Sequence, residues 1–252
     1  MTDNKSWFFD LLDCLYTFKN LSPVENSVLY TNASGFSHTE SGHAMIEKVS
    51  AFGLDWLEIS RHHFDEQINQ KIMRFRPDLT ISQNTTFSSV VRSLKESVEV
   101  KLVCIIQEGG VDSVASLVDY IDWARSIGMR KVIFREFSIL DTSYKNNKTF
   151  SYIGSSRVSV IELFSQLLKN KEIAPKMQWK YLTKGYYFTN VIGCYDDMEL
   201  IFEVSDYSEM HKKHDSESVY KLVFHANGNL CADWNPSKHV LYRSNKEEAK
   251  LW

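Results

Sequence analysis

A short β-branched run followed by an amphipathic helix recurs through the first two thirds of the chain, and that alternation limits the possible folds most severely. It is clearest between residues 100 and 134. Val100–Ile106 reads VKLVCII, a near-continuous apolar run of the kind a parallel sheet buries on both faces. A Gly109-Gly110 turn follows, and Asp112 or Ser113 can cap a helix that carries Val114, Leu117, Val118, Ile121 and Ala124 in register. Gly128 supplies the stop, and Lys131–Phe134 (KVIF) is the next strand.

The same grammar appears upstream. Ser27–Tyr30 predicts a strand, Glu40–Phe52 a helix ended by Gly53, and Trp56–Ile59 a second strand. Phe64, Ile68, Ile72 and Met73 then fall on one helical face, and Ser88–Ser97 predicts another helix. Downstream, a polar segment (DTSYKNNKTF) without a pattern precedes a helix over Val158–Leu168. Alternation of this kind implies right-handed βαβ units and a parallel sheet or barrel.

Near Glu172 the grammar changes. Strand-like runs replace the helical period at Tyr186–Ile192, Met198–Val204 and Tyr220–His225, and the last meets Asn227-Gly228, a favoured hairpin turn. The expected organisation is an α/β part over residues 1–172 and a β-rich extension with a hairpin over 173–252.

Composition narrows the function classes. The 252 residues carry 29 Lys+Arg against 32 Asp+Glu, a formal charge of -3, so a nucleic-acid partner is not expected. No run approaches the roughly 18–20 apolar residues of a membrane span. The start, MTDNKSWFFDLLDC, lacks the basic and apolar regions of a secretory signal, and a cytoplasmic location is expected. Cys14, Cys104, Cys194 and Cys231 are too dispersed for a zinc pair and predict reduced, mostly buried thiols.

In parallel α/β architectures, functional side chains gather where strands end. Those positions hold Thr31-Asn32, Ser60-Arg61-His62-His63, Gln107-Glu108 and Arg135-Glu136. His62 or His63 with Glu108 and Glu136 would suit a divalent cation, since imidazole and carboxylate are its usual ligands. Each residue also has a plain structural alternative: a helix cap for the histidines, an arginine partner for Glu136. His211-Lys212-Lys213-His214, in a charged stretch, predicts a solvated loop.

The succession LYTNASG, LEISRHHFDEQINQKIM and VKLVCIIQEGGVDSVASLVDYIDWARSIGMRKVIFREF resembles the middle and later strands of the radical S-adenosylmethionine barrel. Its style is nearest the GTP cyclase group of molybdenum-cofactor synthesis, and the resemblance covers roughly residues 5 to 170. It implies that Thr31, with Asn32 in the same turn, lies beside the methionine end of S-adenosylmethionine. It also implies that Ser60, followed by Arg61, meets the cofactor's polar groups, that Lys101 opens the fifth strand, and that Ser138 lies near the adenine. The family's C-x-x-x-C-x-x-C loop and G-G-E-P segment are not in this sequence, and a helix over Lys5–Asn20 resembles the one that follows G-G-E-P. Cys231 stands alone where the cyclase binds a second cluster.

The resemblance therefore implies a partial parallel (β/α) barrel missing its first strands, with a β-rich C-terminal extension. Three functions follow. One is a split or truncated radical enzyme whose partner polypeptide supplies the first strands and the [4Fe–4S] cluster, docking at the edge near Val28–Tyr30. The second is a non-catalytic binding or scaffold protein. The third is a divalent-metal barrel enzyme using His62, Glu108 and Glu136.

Overall fold

The computed structural model of the chain describes residues 4–21, 24–37, 39–140, 148–214, 219, 221–225, 227–232 and 234–243. The predicted alternation is realised in its first half: α1 (Lys5–Leu21), β1 (Val28–Thr31), α2 (Thr39–Phe52), β2 (Trp56–Ser60), α3 (Glu66–Met73), α4 (Asn84–Lys95), β3 (Glu99–Ile106), α5 (Val114–Ser126) and β4 (Lys131–Glu136). The local chemistry explains the boundaries. Asp65 caps α3 by accepting the backbone N–H of Gln67 and Ile68. Ser113 and Ser116 form a reciprocal capping box on α5. Gly128, at φ +82°, takes the left-handed conformation that ends α5, a position where a side chain would be strained.

The second half adds α6 (Lys148–Ser156), α7 (Val160–Lys169), β5 (Met177–Lys184), β6 (Phe188–Tyr195), β7 (Met198–Ser205), α8 (Tyr207–His214), β8 (Val223–Phe224), β9 (Asn229–Cys231) and β10 (Val240–Arg243). The protein is a mixed α/β structure with a mostly parallel seven-stranded sheet in the order β1-β2-β3-β4-β7-β6-β5. Neighbours from β1 to β7 pair parallel, whereas β6 joins β7, and β5 joins β6, antiparallel. Strands on both sides of residue 172 thus belong to one sheet. The short strands β8, β9 and β10 make a second, three-stranded sheet around the Asn227-Gly228 turn.

Several elements depart from expectation. β5 was missed because Gln178, Lys180, Lys184 and its exposed aromatics give no inward apolar alternation; all but Met177 of that strand is exposed. The segment around His211 and His214, expected as a loop, forms α8, whose N-terminus Asp206 caps by accepting the Ser208 and Glu209 amides. The strand VKLVCII is not covered by helices on both sides. Val100, Leu102, Cys104 and Ile106 join the main core with Leu57, Ile59, Val132, Phe134, Leu200 and Phe202 and with the helices. Val103, Ile133 and Ile192, although buried, stand outside that core on the opposite face.

The helix-facing core is rich in aromatic contacts. Phe134 on β4 stacks on Phe202 on β7 at 5.6 Å, and Phe164 of α7 meets Phe202 edge-on at 5.9 Å. Among the described residues, no helix is long and apolar enough to cross a membrane. Phe202→Ala should cost about 3–5 kcal/mol, because it empties the junction of β4, β7 and α7. Tyr181→Ala, on the exposed edge strand, should stay within about 0.5 kcal/mol. Urea unfolding of the two variants checks this contrast.

Candidate functional site

Side chains alternate along each strand, so every second residue of β1–β7 projects away from the helices. In register across the sheet, Val103, Ile133, Ile201 and Ile192 form an apolar row on that face. One step towards the strand ends, Arg135 lies opposite Glu203, and Glu203 opposite Asn190. The second row, Arg135, Glu203 and Asn190, floors a cleft of about 480 Å³. Tyr30, Trp56 and Glu58 line one side, and Tyr187, Phe188, Tyr207 and Trp234 the other, with Ser138 and Ser205 above the floor.

A carboxylate–guanidinium–carboxylate bridge organises the cleft. Arg135 donates Nε and Nη2 to the two oxygens of Glu203 at 2.5 and 3.3 Å, and Nη2 also to Glu58 Oε2 at 3.3 Å. Glu58 Oε1 accepts from the Trp56 indole at 3.1 Å. Burial raises the Glu58 pKa, and the opposing pull of Arg135 and Trp56 does not cancel it. Burial, then the neighbouring Glu58, also raises Tyr30. For Arg135 burial works to lower the pKa, but Glu203 and Glu58 together outweigh it and keep the guanidinium above its ordinary value. Lys101 Nζ sits 3.8 Å from the Trp56 ring centroid, and Lys221 Nζ lies 4.1 Å from that of Trp234. Ser138 and Ser205 share a hydroxyl–hydroxyl hydrogen bond of 2.5 Å. Asn190 Oδ1 is buried with no partner among the described residues.

The strand-end residues singled out from the sequence do different work. Thr31 Oγ1 accepts the Ala33 amide and Asn32 Oδ1 the Ser34 amide, holding Ala33 at φ +64° in the turn after β1. Arg61 is fully buried on the helix side. It donates to the carbonyls of Ile81 and Ser82 and to Asn84 Oδ1, and its guanidinium lies 4.9 Å from the Phe87 ring. Burial lowers its pKa to about 10, so it stays charged. Glu136 is buried on the helix side too, ion-paired with Arg157 and accepting the Val160 amide at the start of α7. Glu108 is exposed, and its own amide donates to Ser156 O. Ser60, Lys101 and Ser138 do project to the open face, and Ser138 lines the cleft.

The metal site expected from His62, His63, Glu108 and Glu136 is not assembled. Among the described residues no three His, Cys, Asp or Glu side chains form a group able to hold a metal ion. His62 Nδ1 accepts the Ile105 amide at 3.0 Å, and His63 Nδ1 accepts the Asp65 amide at 2.9 Å. Asn69 Oδ1 takes the backbone amides of both histidines. Burial, and next the charge of Arg135, lowers His62 to a pKa of about 4. Burial lowers His63 as well.

What sequence reasoning missed is the bridge itself, yet it has a sequence signal. Glu58 in WLEIS, Arg135 in VIFRE and Glu203 in LIFEV each interrupt an apolar strand with a charge at alternating position. Each directly follows a core residue, Leu57, Phe134 or Phe202, and so falls on the opposite face of the sheet.

Two predictions follow from these environments. The unfolded chain protonates His62 near pH 6.5 and the folded chain only near 4, so folding stability falls as pH drops through that window. The total loss from this residue is about 3 kcal/mol. Imidazole NMR titration should show His62 neutral at pH 6, and His62→Gln should flatten the pH dependence of the unfolding midpoint between pH 6.5 and 4. Arg61→Met should destabilise by about 3 kcal/mol or more, because it orphans two carbonyls and the Asn84 side chain. Arg61→Lys should recover little, since one ammonium cannot copy the planar fork, as thermal unfolding would show.

No family model matches the chain, and no curated protein matches it. A solved pantoate–β-alanine ligase from Francisella tularensis, complexed with β-γ ATP and β-alanine, is similar over 77% of this chain and 95% of that chain, at 14% identity and a TM-score of 0.18. A similarity that low carries no argument about this chain's chemistry. The sequence resemblance is corrected on a different ground: no family model matches the chain, that of the radical S-adenosylmethionine enzymes included, and membership of that family is not upheld. The iron–sulfur expectation falls with it. Cys14 is exposed, Cys104 and Cys231 are buried, Cys194 is half-buried, and none belongs to a metal-holding group among the described residues.

Proposed function

We propose that the protein binds a small polar ligand in the cleft over the open face of its sheet. The observation that carries this reading is Asn190 Oδ1, a buried carboxamide oxygen without a donor among the described residues, on the floor of a cleft lined with aromatic rings. A buried acceptor left unpaired costs roughly 1–3 kcal/mol, a cost that a bound ligand's donor would remove. The bridge of Glu58, Arg135 and Glu203 supports the same reading, because it fixes three planar polar groups in place before any ligand arrives.

Binding is favoured over covalent catalysis by the lining itself. Among the described residues the cleft is lined by no cysteine or histidine, the Ser138–Ser205 pair is not hydrogen-bonded to a base, and both carboxylates, Glu58 and Glu203, are tied to Arg135. The helix packing fits a finer reading of the fold. Consecutive parallel strands with their helices on one face are the arrangement of a wound (β/α) barrel left open, and the cleft would be its interior.

The test is an NMR screen of the full chain against a mixed metabolite library. At least one compound should shift the amides of Arg135, Asn190 and Glu203 together, and Asn190→Leu should weaken that binding about tenfold. A library that leaves those amides unmoved at millimolar concentration would overturn the reading.

A further inference from the structure

We infer that the ligand is a free, neutral monosaccharide. The inference rests on the cleft being a small-molecule site, and three observations on the cleft converge on it.

The first is charge. Arg135 is held by Glu203 through two hydrogen bonds and by Glu58 through one. An anionic ligand would face both carboxylates. A cationic one would compete with a guanidinium already seated between them. An uncharged ligand meets none of these conflicts.

The second is the mixture of open hydrogen-bonding groups. Arg135 spends Nε and Nη2 on carboxylates, and Nη1 has no partner among the described residues, so it offers donors only. Asn190 Oδ1 is an unspent acceptor on the same row, on the far side of Glu203; it is shut off from solvent and meets a ligand by a turn of its side chain into the cleft. In the Ser138–Ser205 pair one hydroxyl donates to the other, which leaves one O–H free to donate outward. A hydroxyl both gives and accepts, so one ligand group can serve either kind of site. A ligand with donors alone or acceptors alone leaves part of the row unsatisfied.

The third is the wall. Trp56, Tyr187 and Trp234 line the cleft beside the polar row, with a lysine ammonium over one ring face of each. An aromatic ring gives a large, rigid apolar surface, to which the C–H face of a sugar ring is complementary while its hydroxyl edge meets the floor.

Titration calorimetry and amide NMR on the full chain, with glucose, galactose, mannose, xylose, glucuronate, glucosamine and adenosine as separate probes, decide the matter. At least one of the four neutral sugars should bind with a Kd of roughly 1 mM or tighter and shift Asn190, Glu203 and the Trp56 and Trp234 indoles. Glucuronate should bind about tenfold more weakly than glucose, and Asn190→Leu should cost the neutral sugar about tenfold. Should Asn190→Leu not fold, Trp234→Ala, whose ring is half exposed, should bring a comparable loss. Binding of adenosine or glucosamine without any neutral sugar would overturn the ligand class and leave the cleft reading standing. Silence of all seven probes would overturn it as well, and the metabolite screen then decides separately whether the cleft binds anything.

Discussion

The parallel pairing of β4 with β7 is the contact on which both faces of the sheet depend. It joins the βαβ series to the antiparallel hairpin of β5 and β6, two parts of the chain with different local grammar. On the helix side it sets Phe134 on Phe202, with Phe164 closing the cluster. On the open side it sets Arg135 against Glu203. A slip of one residue would exchange the two faces, driving a guanidinium into the aromatic core and exposing phenylalanine to the cleft. Register at this seam is therefore strongly specified by burial on one side and by charge pairing on the other.

The turn after β2 shows how ionisable residues at a strand end can be structural. Arg61 is anchored by carbonyls and ring faces rather than by a carboxylate, an arrangement suited to its planar, weakly hydrated head. The two histidines that follow accept backbone amides, and Asn69 satisfies their own. This segment spends its polar groups on holding α3, α4 and the strand ends together. The freely available polar groups lie instead within the strands, on the open face.

Much of the fold was legible because burial imposes a period. The runs that became β1 to β4, and the helical faces of α2, α5 and α7, follow from apolar spacing and from Gly53, Ser113 and Gly128 at their limits. β5 was illegible because, as an exposed edge, it has no buried face to write a period into its sequence. The site was only partly legible. Strand ends drew attention to Arg135, and Ser138 was named only through the family resemblance, but Glu58, Asn190 and Glu203 meet across strands far apart in the chain. Nothing local in their sequence states that pairing. The family resemblance failed for a related reason: strand–turn–helix order is shared by many α/β chains and does not by itself carry a lineage.

The position of β7 also bears on the order in which the molecule can be built during synthesis. β1 to β4 can pair in succession as they emerge, but the neighbour of β4 arrives only after α6, α7, β5 and β6 have been made. Until then the nascent sheet ends at β4, a strand with the apolar run Val132-Ile133-Phe134 at its centre, an unpaired backbone edge and Phe134 lacking its stacking partner. The hairpin of β5, β6 and β7 is by contrast a local unit that can form by itself before docking. The last step of sheet assembly is thus the insertion of a preformed antiparallel edge beside a waiting parallel one, and it is this late step that creates the cleft.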